Sequence, residues 1–324
     1  MASPVPSTPF SRKTLILGIA GAVIYGLFLR VVVEYKIWAD GLAVMSVAYI
    51  VVVPLVVGFL AVRANPAPTW LYALCFPWLP ILGVTFLTAV IGYEGAVCIV
   101  MALPLLLLGG SVGGVAALLI TRRGRGVVGT AMALPFAIGA VEGKVPLPRD
   151  VHTVQSSIDI AATPAAVWRE IVSVREIRRS ELPGNPLFLR MGFPRPLSAE
   201  IDREAVGGIR KARFAGGVLF LETVTDLRPD SLLSFRIRAQ TDSIPATTLD
   251  EHVTIGGPHF DVLQGTYRIE RLGVDSVRLH LASELRVSTH FNWYAGRWAD
   301  AVMGSIQRNI LEVERMRAEG AHSQ

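Results

Sequence analysis

The stretch FNWYAGRWADAVMGSIQRNILEVERMR, from Phe291 to Arg317, decides the fold of the second half of the chain. Apolar residues recur in it every three or four positions, which predicts a helix with one apolar face. These positions are Trp298, Val302, Ile306, Ile310 and Val313. Asn292 is placed to cap the start of the helix, and Gly320 lies just past its predicted end. We therefore expect one long amphipathic helix that needs an apolar surface to pack on.

Half-apolar segments with strand-like alternation precede this helix, between Gln155 and Val287. Each segment must bury one face, and the helix is the only large partner that the sequence offers. The predicted strands are Gln155–Ile160, Leu197–Glu204, Gly208–Phe214, Val218–Leu227, Ser231–Ala239, Gly265–Arg271 and Ser276–Val287. A curved sheet closed by one long helix makes a cavity, and small-molecule sites usually lie in cavities.

Composition divides the chain into a membrane part and a soluble part. The chain has 324 residues and a mean hydropathy of +0.47, which is high for a soluble protein. Its apolar residues are concentrated in the first half. We predict a disordered N-terminus (1–13), a transmembrane domain (14–142), a linker (143–150), a soluble domain (151–318) and a tail (319–324).

Five apolar segments are candidates for membrane spans. They are Thr14–Val33, Gly41–Val62, Trp70–Ile91, Gly95–Ile120 and Val127–Val141. The last has only about 15 residues, or roughly 22 Å of helix, against a hydrocarbon core of about 30 Å. The sequence therefore predicts four or five spans. Small residues in the fourth span, Gly109, Gly110, Gly113 and Gly114, predict close helix packing.

Basic residues predict the orientation of these spans. Lys and Arg prefer the cytoplasmic side of short loops. An N-terminus in the cytoplasm places six cations there: Arg12, Lys13, Arg63, Arg122, Arg123 and Arg125. The opposite flanks carry Glu34, Lys36 and Asp40, then Glu94, without a positive excess. A fifth crossing would then put the soluble domain on the extracytoplasmic side of the cell membrane. We favour this crossing, because Val127–Val141 carries no charge.

Polar residues inside the predicted spans are few, which favours a membrane anchor or small helical bundle over a transporter or channel. Arg30, near the end of the first span, is expected to extend its side chain to the interface. Cys75 and Cys98 lie in apolar stretches and are expected to be buried, unpaired side chains.

Charge argues against nucleic acid as a partner of the soluble domain. Residues 1–150 hold 10 Lys and Arg against 5 Asp and Glu, whereas residues 151–324 hold 21 of each. The net charge of +5 therefore belongs to the membrane half, and a nucleic-acid-binding face usually leaves a basic excess.

The run SSIDIAATPAAVWREIVSV, from Ser156 to Val174, resembles the opening of the START-like superfamily, also called SRPBCC. That family, which includes polyketide cyclases and lipid-transfer domains, opens with a strand and a turn into a helix. Ala162, Pro164, Val167 and Trp168 reproduce that turn. The resemblance covers Val151 to Ala318 and implies a helix-grip fold: a curved antiparallel sheet around a long C-terminal helix, with a pocket between them. It implies no single chemistry, because members range from carriers to enzymes.

The segment between Ala239 and Gly265 is richer in ionisable residues than any other part of the predicted soluble domain. These residues are Asp250, Glu251, His252, His259 and Asp261. Their spacing matches no metal motif, so we predict neither a metal nor a cofactor. A solvated strand edge explains the cluster as well as a site does. His259, Asp261 and Glu222 are the candidates for an acid or base.

Apolar positions supply the candidate ligand-binding residues. Trp298, Val302 and Ile306 belong to the predicted helix, and Phe193 lies in an apolar loop that could border a pocket mouth. Phe220 and Glu284 lie on predicted strands, and strand carboxylates in the resembled fold can point into the cavity.

Two functions from different classes remain open. In the first, the domain binds a lipid or another apolar small molecule beside the membrane that anchors it. In the second, it is an enzyme, such as a cyclase, dehydratase or hydrolase, that acts on such a ligand. A purely structural or signalling membrane protein is a third, weaker interpretation. The identity of the ligand and the oligomeric state stay open.

Overall fold

The computed structural model describes residues 12–34, 44–65, 69–120, 126–182, 184, 186–240 and 255–322. The chain forms two compact units, Met1–Pro146 and Leu147–Gln324. The division falls within the predicted linker 143–150.

The N-terminal unit consists of helices. They are α1 (Arg12–Glu34), α2 (Val53–Ala64), α3 (Trp70–Cys75), α4 (Trp78–Ile91), α5 (Ala96–Ile120) and α6 (Gly126–Glu142). A π-helical segment, Ala48–Val52, leads directly into α2. Pro77 separates α3 from α4, since it cannot donate the backbone hydrogen bond that a continuous helix needs.

Three described segments are long and apolar enough to cross a membrane, judged by length and composition: Arg12–Val33, Trp70–Ile91 and Val97–Ile120. They correspond to the first, third and fourth predicted spans. The second and fifth correspond to the shorter apolar helices Ala48–Ala64 and Val127–Glu142.

Glycines let α5 approach its neighbours closely. A Cβ atom on Gly113 would lie 1.8 Å from the carbonyl oxygen of Leu55 in α2. One on Gly114 would lie 2.1 Å from the carbonyl oxygen of Ala73 in α3. No side chain fits at such distances, so the predicted close packing depends on these residues.

Arg30 does not extend to the interface as the sequence predicts, because it has a carboxylate partner inside the unit. The residue is only 1% exposed. Its Nε donates to Oε1 of Glu94 at 2.8 Å, and its Nη2 donates to the carbonyl oxygen of Tyr93, also at 2.8 Å. A buried guanidinium needs such partners, and the contacts tie the end of α1 to the turn after α4.

A second carboxylate ties the end of α6 to the start of the helix that contains α2. Oε1 of Glu142 accepts from the backbone N–H of Val47 at 2.7 Å, and Oε2 accepts from that of Ala48 at 2.9 Å. Backbone N–H groups in the first turn of a helix have no partner within it, so an anion there is stabilising.

The described residues of the C-terminal unit form a seven-stranded antiparallel sheet with three α-helices. The strands are β1 (Asp150–Ile160), β2 (Pro196–Ile201), β3 (Ile209–Phe214), β4 (Leu219–Arg228), β5 (Leu232–Gln240), β6 (Phe260–Arg271) and β7 (Val277–Val287). The helices are α7 (Pro164–Val172), α8 (Leu187–Arg190) and α9 (Asn292–His322). The strand order is β1-β7-β6-β5-β4-β3-β2.

Bulges in β2, β4 and β6 bend the sheet. Helix α9 packs along β1 and β7, and α7 and α8 pack against it. The tight connection from β3 to β4 relies on Gly216 and Gly217, which both have positive φ (72° and 82°). A curved antiparallel sheet around a long C-terminal helix is the helix-grip layout that the sequence predicts.

The ends of α9 differ in detail from the prediction. Asn292 is the first helical residue, and its Oδ1 accepts from the backbone N–H of Thr289 at 2.6 Å. It therefore fixes the turn before the helix and does not cap the helix itself. The helix also continues through Gly320 to His322.

Two apolar clusters lie between the sheet and the helices. The first gathers residues of α7, β5, β7 and α9, including Trp168, Ile171, Leu233, Leu279 and Leu311. The second includes Phe220, Val262, Leu285 and Val313. Ile306, which the sequence places at the core, is only half-buried, whereas Leu311 is 1% exposed.

Leu311→Ala should therefore destabilise the C-terminal unit by about 2–5 kcal/mol, the usual cost of a large-to-small change at a buried site. Ile306→Ala should cost clearly less, because part of its surface is already in contact with water. Hydrogen exchange of the detergent-purified full-length protein, followed in β7 and α9 peptides, measures both losses. Equal losses would contradict this assignment of the core.

Candidate functional site

The middle of α9 carries an apolar stripe that is only half-buried although it faces inward. The stripe consists of Ala299, Met303, Ile306 and Ile310. The apolar clusters include Ala299, Met303 and Ile310 as partly buried members. At 3.6 residues per turn, the stripe lies at the centre of the buried arc of the helix.

Residues on both sides of this stripe are more deeply buried than the stripe itself. They are Val302 and Val313 on one side, and Gln307 and Leu311 on the other. A helix packed fully on a sheet would show the opposite order, with its central residues the least exposed. Among the described residues, the sheet therefore leaves apolar surface uncovered along the middle of α9, and we call the space beside this surface the cleft.

The sheet lines the other side of this cleft. Residues directly opposite each other in an antiparallel pair point to the same face. Ile237 lies opposite Glu222, and Ala239 lies opposite Phe220, so all four side chains point inward. Ile237 and Ala239 are half-buried, like the stripe on α9. The cleft therefore has apolar walls on both sides.

Gln307 fixes the position of α9 over the sheet. Its Nε2 donates to the carbonyl oxygen of Val154 at 3.0 Å and to the hydroxyl of Ser283 at 2.9 Å. Its Oε1 accepts from the hydroxyl of Ser156 at 2.9 Å. One side chain thus connects α9 to both β1 and β7, which holds the stripe over the inner face.

Four ionisable side chains come together at the C-terminal end of the stripe. We call Arg210, Glu222, Tyr267 and Glu314 the polar cluster; they belong to β3, β4, β6 and α9. Their exposed fractions are 4%, 7%, 2% and 1%, respectively. Buried ionisable groups of this kind need partners, because desolvation disfavours their charged forms.

Arg210 and Glu222 satisfy each other. They lie directly opposite in the β3–β4 ladder, and Nη1 of Arg210 donates to Oε2 of Glu222. Arg210 also donates from Nε to the carbonyl oxygen of Val172 at 3.3 Å. Its guanidinium carbon lies 5.5 Å from the centre of the Phe235 ring. The single positive charge of the cluster is therefore paired.

Glu314 has the least satisfied carboxyl group of the cluster. Among the residues that the structure describes, neither of its oxygens has a hydrogen-bond partner of good geometry. Burial raises the pKa of Glu314 to about 8, and the neighbouring Tyr267 hydroxyl and Arg210 guanidinium oppose the shift only in part. At neutral pH the folded protein therefore holds Glu314 mainly in its protonated, uncharged form.

The cluster then combines one ion pair with two neutral proton donors. Burial also raises the pKa of Glu222, against the effect of Arg210, and raises that of Tyr267 well above its usual value. Protonated Glu314 and the Tyr267 hydroxyl can each donate a hydrogen bond, and Glu314 can supply a proton to a bound molecule.

Most of the residues predicted to bind a ligand lie on the inner side of the sheet or on α9, but one of them lies on the outer face of the sheet. Glu222 and Phe220 point inward, as does Val302, while Trp298 and the loop residue Phe193 are half-buried. Glu284 lies between the inward-facing Ser283 and Leu285, so strand alternation turns it to the outer face. It therefore does not face α9.

The predicted His259–Asp261 pair lies apart from the polar cluster. Asp261 is opposite Arg286 on the outer face, and its Oδ1 accepts from the backbone N–H of Val262 at 2.9 Å. A ring nitrogen of His259 lies 3.1 Å from the carbonyl oxygen of Ser288. Asp250, Glu251 and His252 lie outside the described residues. No group of three or more potential metal ligands occurs in the described ranges.

Three members of the polar cluster were not predicted from the sequence: Arg210, Tyr267 and Glu314. Glu314 left a usable signal, because it follows Ile306 and Ile310 at four-residue spacing on the apolar face. Arg210 shares its strand face with Ala212 and Phe214, which is also visible in the alternation. Their meeting with Tyr267 depends on the strand order and has no sequence signal.

Comparison with known proteins gives structural neighbours only. No protein-family model and no curated protein matches the chain. A START superfamily protein from Mycobacterium smegmatis is 14% identical and has a TM-score of 0.34, with 52% of this chain and 99% of that chain covered. The Zhui aromatase/cyclase from Streptomyces sp. R1128 is 14% identical, with a TM-score of 0.32 and coverage of 54% and 94%. Norcoclaurine synthase from Thalictrum flavum is also 14% identical, with a TM-score of 0.31 and coverage of 52% and 87%.

Glu314 should make the stability of the C-terminal unit depend on pH. Its folded-state pKa of about 8 lies above the ordinary value of 4.5. Its contribution is therefore fully present below about pH 4.5 and is lost as the pH rises through about 8. Amide protection factors of α9 and β6, corrected for intrinsic exchange, should fall as the pH rises from about 4.5 to about 8 and level off above that.

Glu314→Gln is the matched variant, because it keeps the shape of the side chain and removes its titration. It should flatten most of this pH dependence. A variant that loses protection with rising pH as steeply as the wild type would exclude Glu314 as the responsible group.

Proposed function

We propose that the C-terminal unit binds a lipid or another apolar small molecule in the cleft beneath α9, next to the membrane that anchors the chain. One observation carries this proposal: the centre of the inward face of α9 is half-buried while its flanks are buried. Apolar surface left in contact with water costs about 25 cal/mol per Å². An apolar ligand in the cleft would remove this contact.

Anchoring of the chain in a membrane would give the cleft access to apolar ligands. The N-terminal unit is built from apolar helices, and three of its described segments are long and apolar enough to cross a bilayer. A protein held at the bilayer has a local supply of apolar molecules with very low solubility in water. The anchor would therefore raise the effective concentration of ligand at the cleft.

We further propose five spans, with the C-terminal unit on the extracytoplasmic side. The Glu142 contacts support this, since they bring the end of α6 to the start of the helix that contains α2. Ile138 of α6 also packs with Val33, near the end of α1, and with Val44. Helix α6 would then end on the side opposite the N-terminus, and the basic loops put the N-terminus in the cytoplasm.

Fusions after Gln324 test this orientation. An alkaline phosphatase fused there should be active, and a fluorescent protein that folds only in the cytoplasm should stay dark. The reverse result, fluorescence without phosphatase activity, would remove the fifth span and place the C-terminal unit in the cytoplasm.

Native mass spectrometry of the detergent-purified full-length protein tests ligand binding. The wild type should retain an apolar molecule of defined mass. Ile306→Trp should lose it, because a larger side chain in the stripe fills the cleft. Met316→Trp is the matched control, since Met316 is 41% exposed on the same helix. Retention of the ligand by Ile306→Trp would argue against the cleft.

A second candidate function is catalysis on the same ligand, and the polar cluster is the observation that favours it. A buried carboxylic acid that is protonated at neutral pH, next to an ion pair, is a common arrangement for general acid catalysis. In that case Glu314→Gln should co-purify with an unreacted molecule whose mass differs from that of the wild-type ligand. The same mass in both proteins would favour a binding module.

A further inference from the structure

We infer that the ligand of the cleft carries an uncharged head group with a hydrogen-bond-accepting oxygen, such as an ester, ketone or alcohol, and that Glu314 holds this head. The inference rests on the proposed function and specifies its ligand class. It also gives the orientation of the ligand in the cleft: the apolar chain lies along the stripe of α9, and the head group lies at the polar cluster.

The order of residues on α9 supports this direction. From Ala299 to Ile310 the stripe is apolar and extends about 16 Å at 1.5 Å per residue. Glu314 is the next residue on that line, four positions after Ile310. A ligand lying along the stripe would therefore end with its head beside a carboxyl group.

The carboxyl oxygens of Glu314 are available to a ligand, because among the described residues they have no hydrogen bond of good geometry and only the Tyr267 hydroxyl lies close enough to act on them as a donor. Glu314 is 1% exposed, and leaving a buried polar group without a partner costs about 1–3 kcal/mol. An oxygen on the ligand head would accept the proton of the acid. Its raised pKa, about 8, keeps that proton in place at neutral pH.

The charges of the residues around Glu314 favour a neutral head group on the ligand over an anionic one. The charged or titratable groups that influence Glu314 are Arg210 on β3, Glu222 on β4, Tyr267 on β6 and Glu170 on α7. Arg210 is already paired with Glu222. A carboxylate or phosphate head would thus bring a second anion into the polar cluster, where Arg210 is the one cation among the described residues. An uncharged head adds no net charge and avoids this cost.

Two probes of equal chain length test the inference: a long-chain fatty acid methyl ester and the corresponding free fatty acid. Binding to the full-length protein in detergent is measured at pH 7 by native mass spectrometry under competition. The ester should bind at least about tenfold more tightly, the ratio that corresponds to 1.4 kcal/mol. Equal or tighter binding of the free acid would overturn the inference.

Variants of Glu314 show whether this residue makes the distinction. Glu314→Leu should weaken ester binding about tenfold, whereas Glu314→Gln, which still donates a hydrogen bond, should stay within a few-fold of the wild type. Ester binding to the wild type should weaken between pH 7 and pH 9.5, as the acid ionises, and binding to Glu314→Gln should not. Hydrogen exchange of β7 and α9 checks that each variant remains folded.

Glu312→Gln is the matched control, because Glu312 lies on α9 outside the stripe and pairs with Arg315. It should leave ester binding and its pH dependence unchanged. Ester affinity that is the same in folded Glu314→Leu and in the wild type would overturn the role of Glu314. If neither probe binds the wild type and Ile306→Trp changes nothing, the proposed function itself fails.

Discussion

The packing of one long helix on a bent sheet is the constraint on which the C-terminal unit depends. Bulges in β2, β4 and β6 bend the strands, and α9 contacts the sheet mainly along β1 and β7. Gln307 fixes that contact with hydrogen bonds to both strands. The centre of the inward face of α9 is half-buried while its flanks are buried, and this difference defines the cleft.

The polar cluster is the second consequence of this geometry. An interior that is not fully packed can hold ionisable groups that a dense apolar core would exclude, provided that their charges are matched. Arg210 and Glu222 meet this condition as a pair on neighbouring strands. Glu314 avoids an unmatched buried charge by keeping its proton, because burial raises its pKa. Arg210 and Glu222 stabilise each other, whereas Glu314 has no hydrogen bond of good geometry among the described residues.

The N-terminal unit uses buried charge in a different way. Arg30 and Glu94 fasten the end of α1 to the turn after α4, and Glu142 fastens the end of α6 to the start of the helix that contains α2. Glu94 accepts from the Arg30 side chain, whereas Glu142 accepts from backbone N–H groups at a helix start, which lack partners within the helix. Between these ends the helices pack through glycine, with α2 and α3 close against α5. The few charged residues in the apolar half of the chain thus connect the ends of its helices to one another.

The sequence by itself determined the division into an apolar N-terminal part and a C-terminal part of strands and one long helix, because hydrophobic periodicity is a local property of the chain. It also placed Glu222, Phe220 and Val302 among the candidates. Only the tertiary structure decided that Glu222 faces inward while Glu284 faces outward, since that depends on the register of each strand. The proximity of Arg210, Tyr267 and Glu314 likewise depends on the strand order and on the position at which α9 packs against the sheet. Contacts between residues more than 40 positions apart leave no periodic trace in a single sequence, so the site could be found only from the fold.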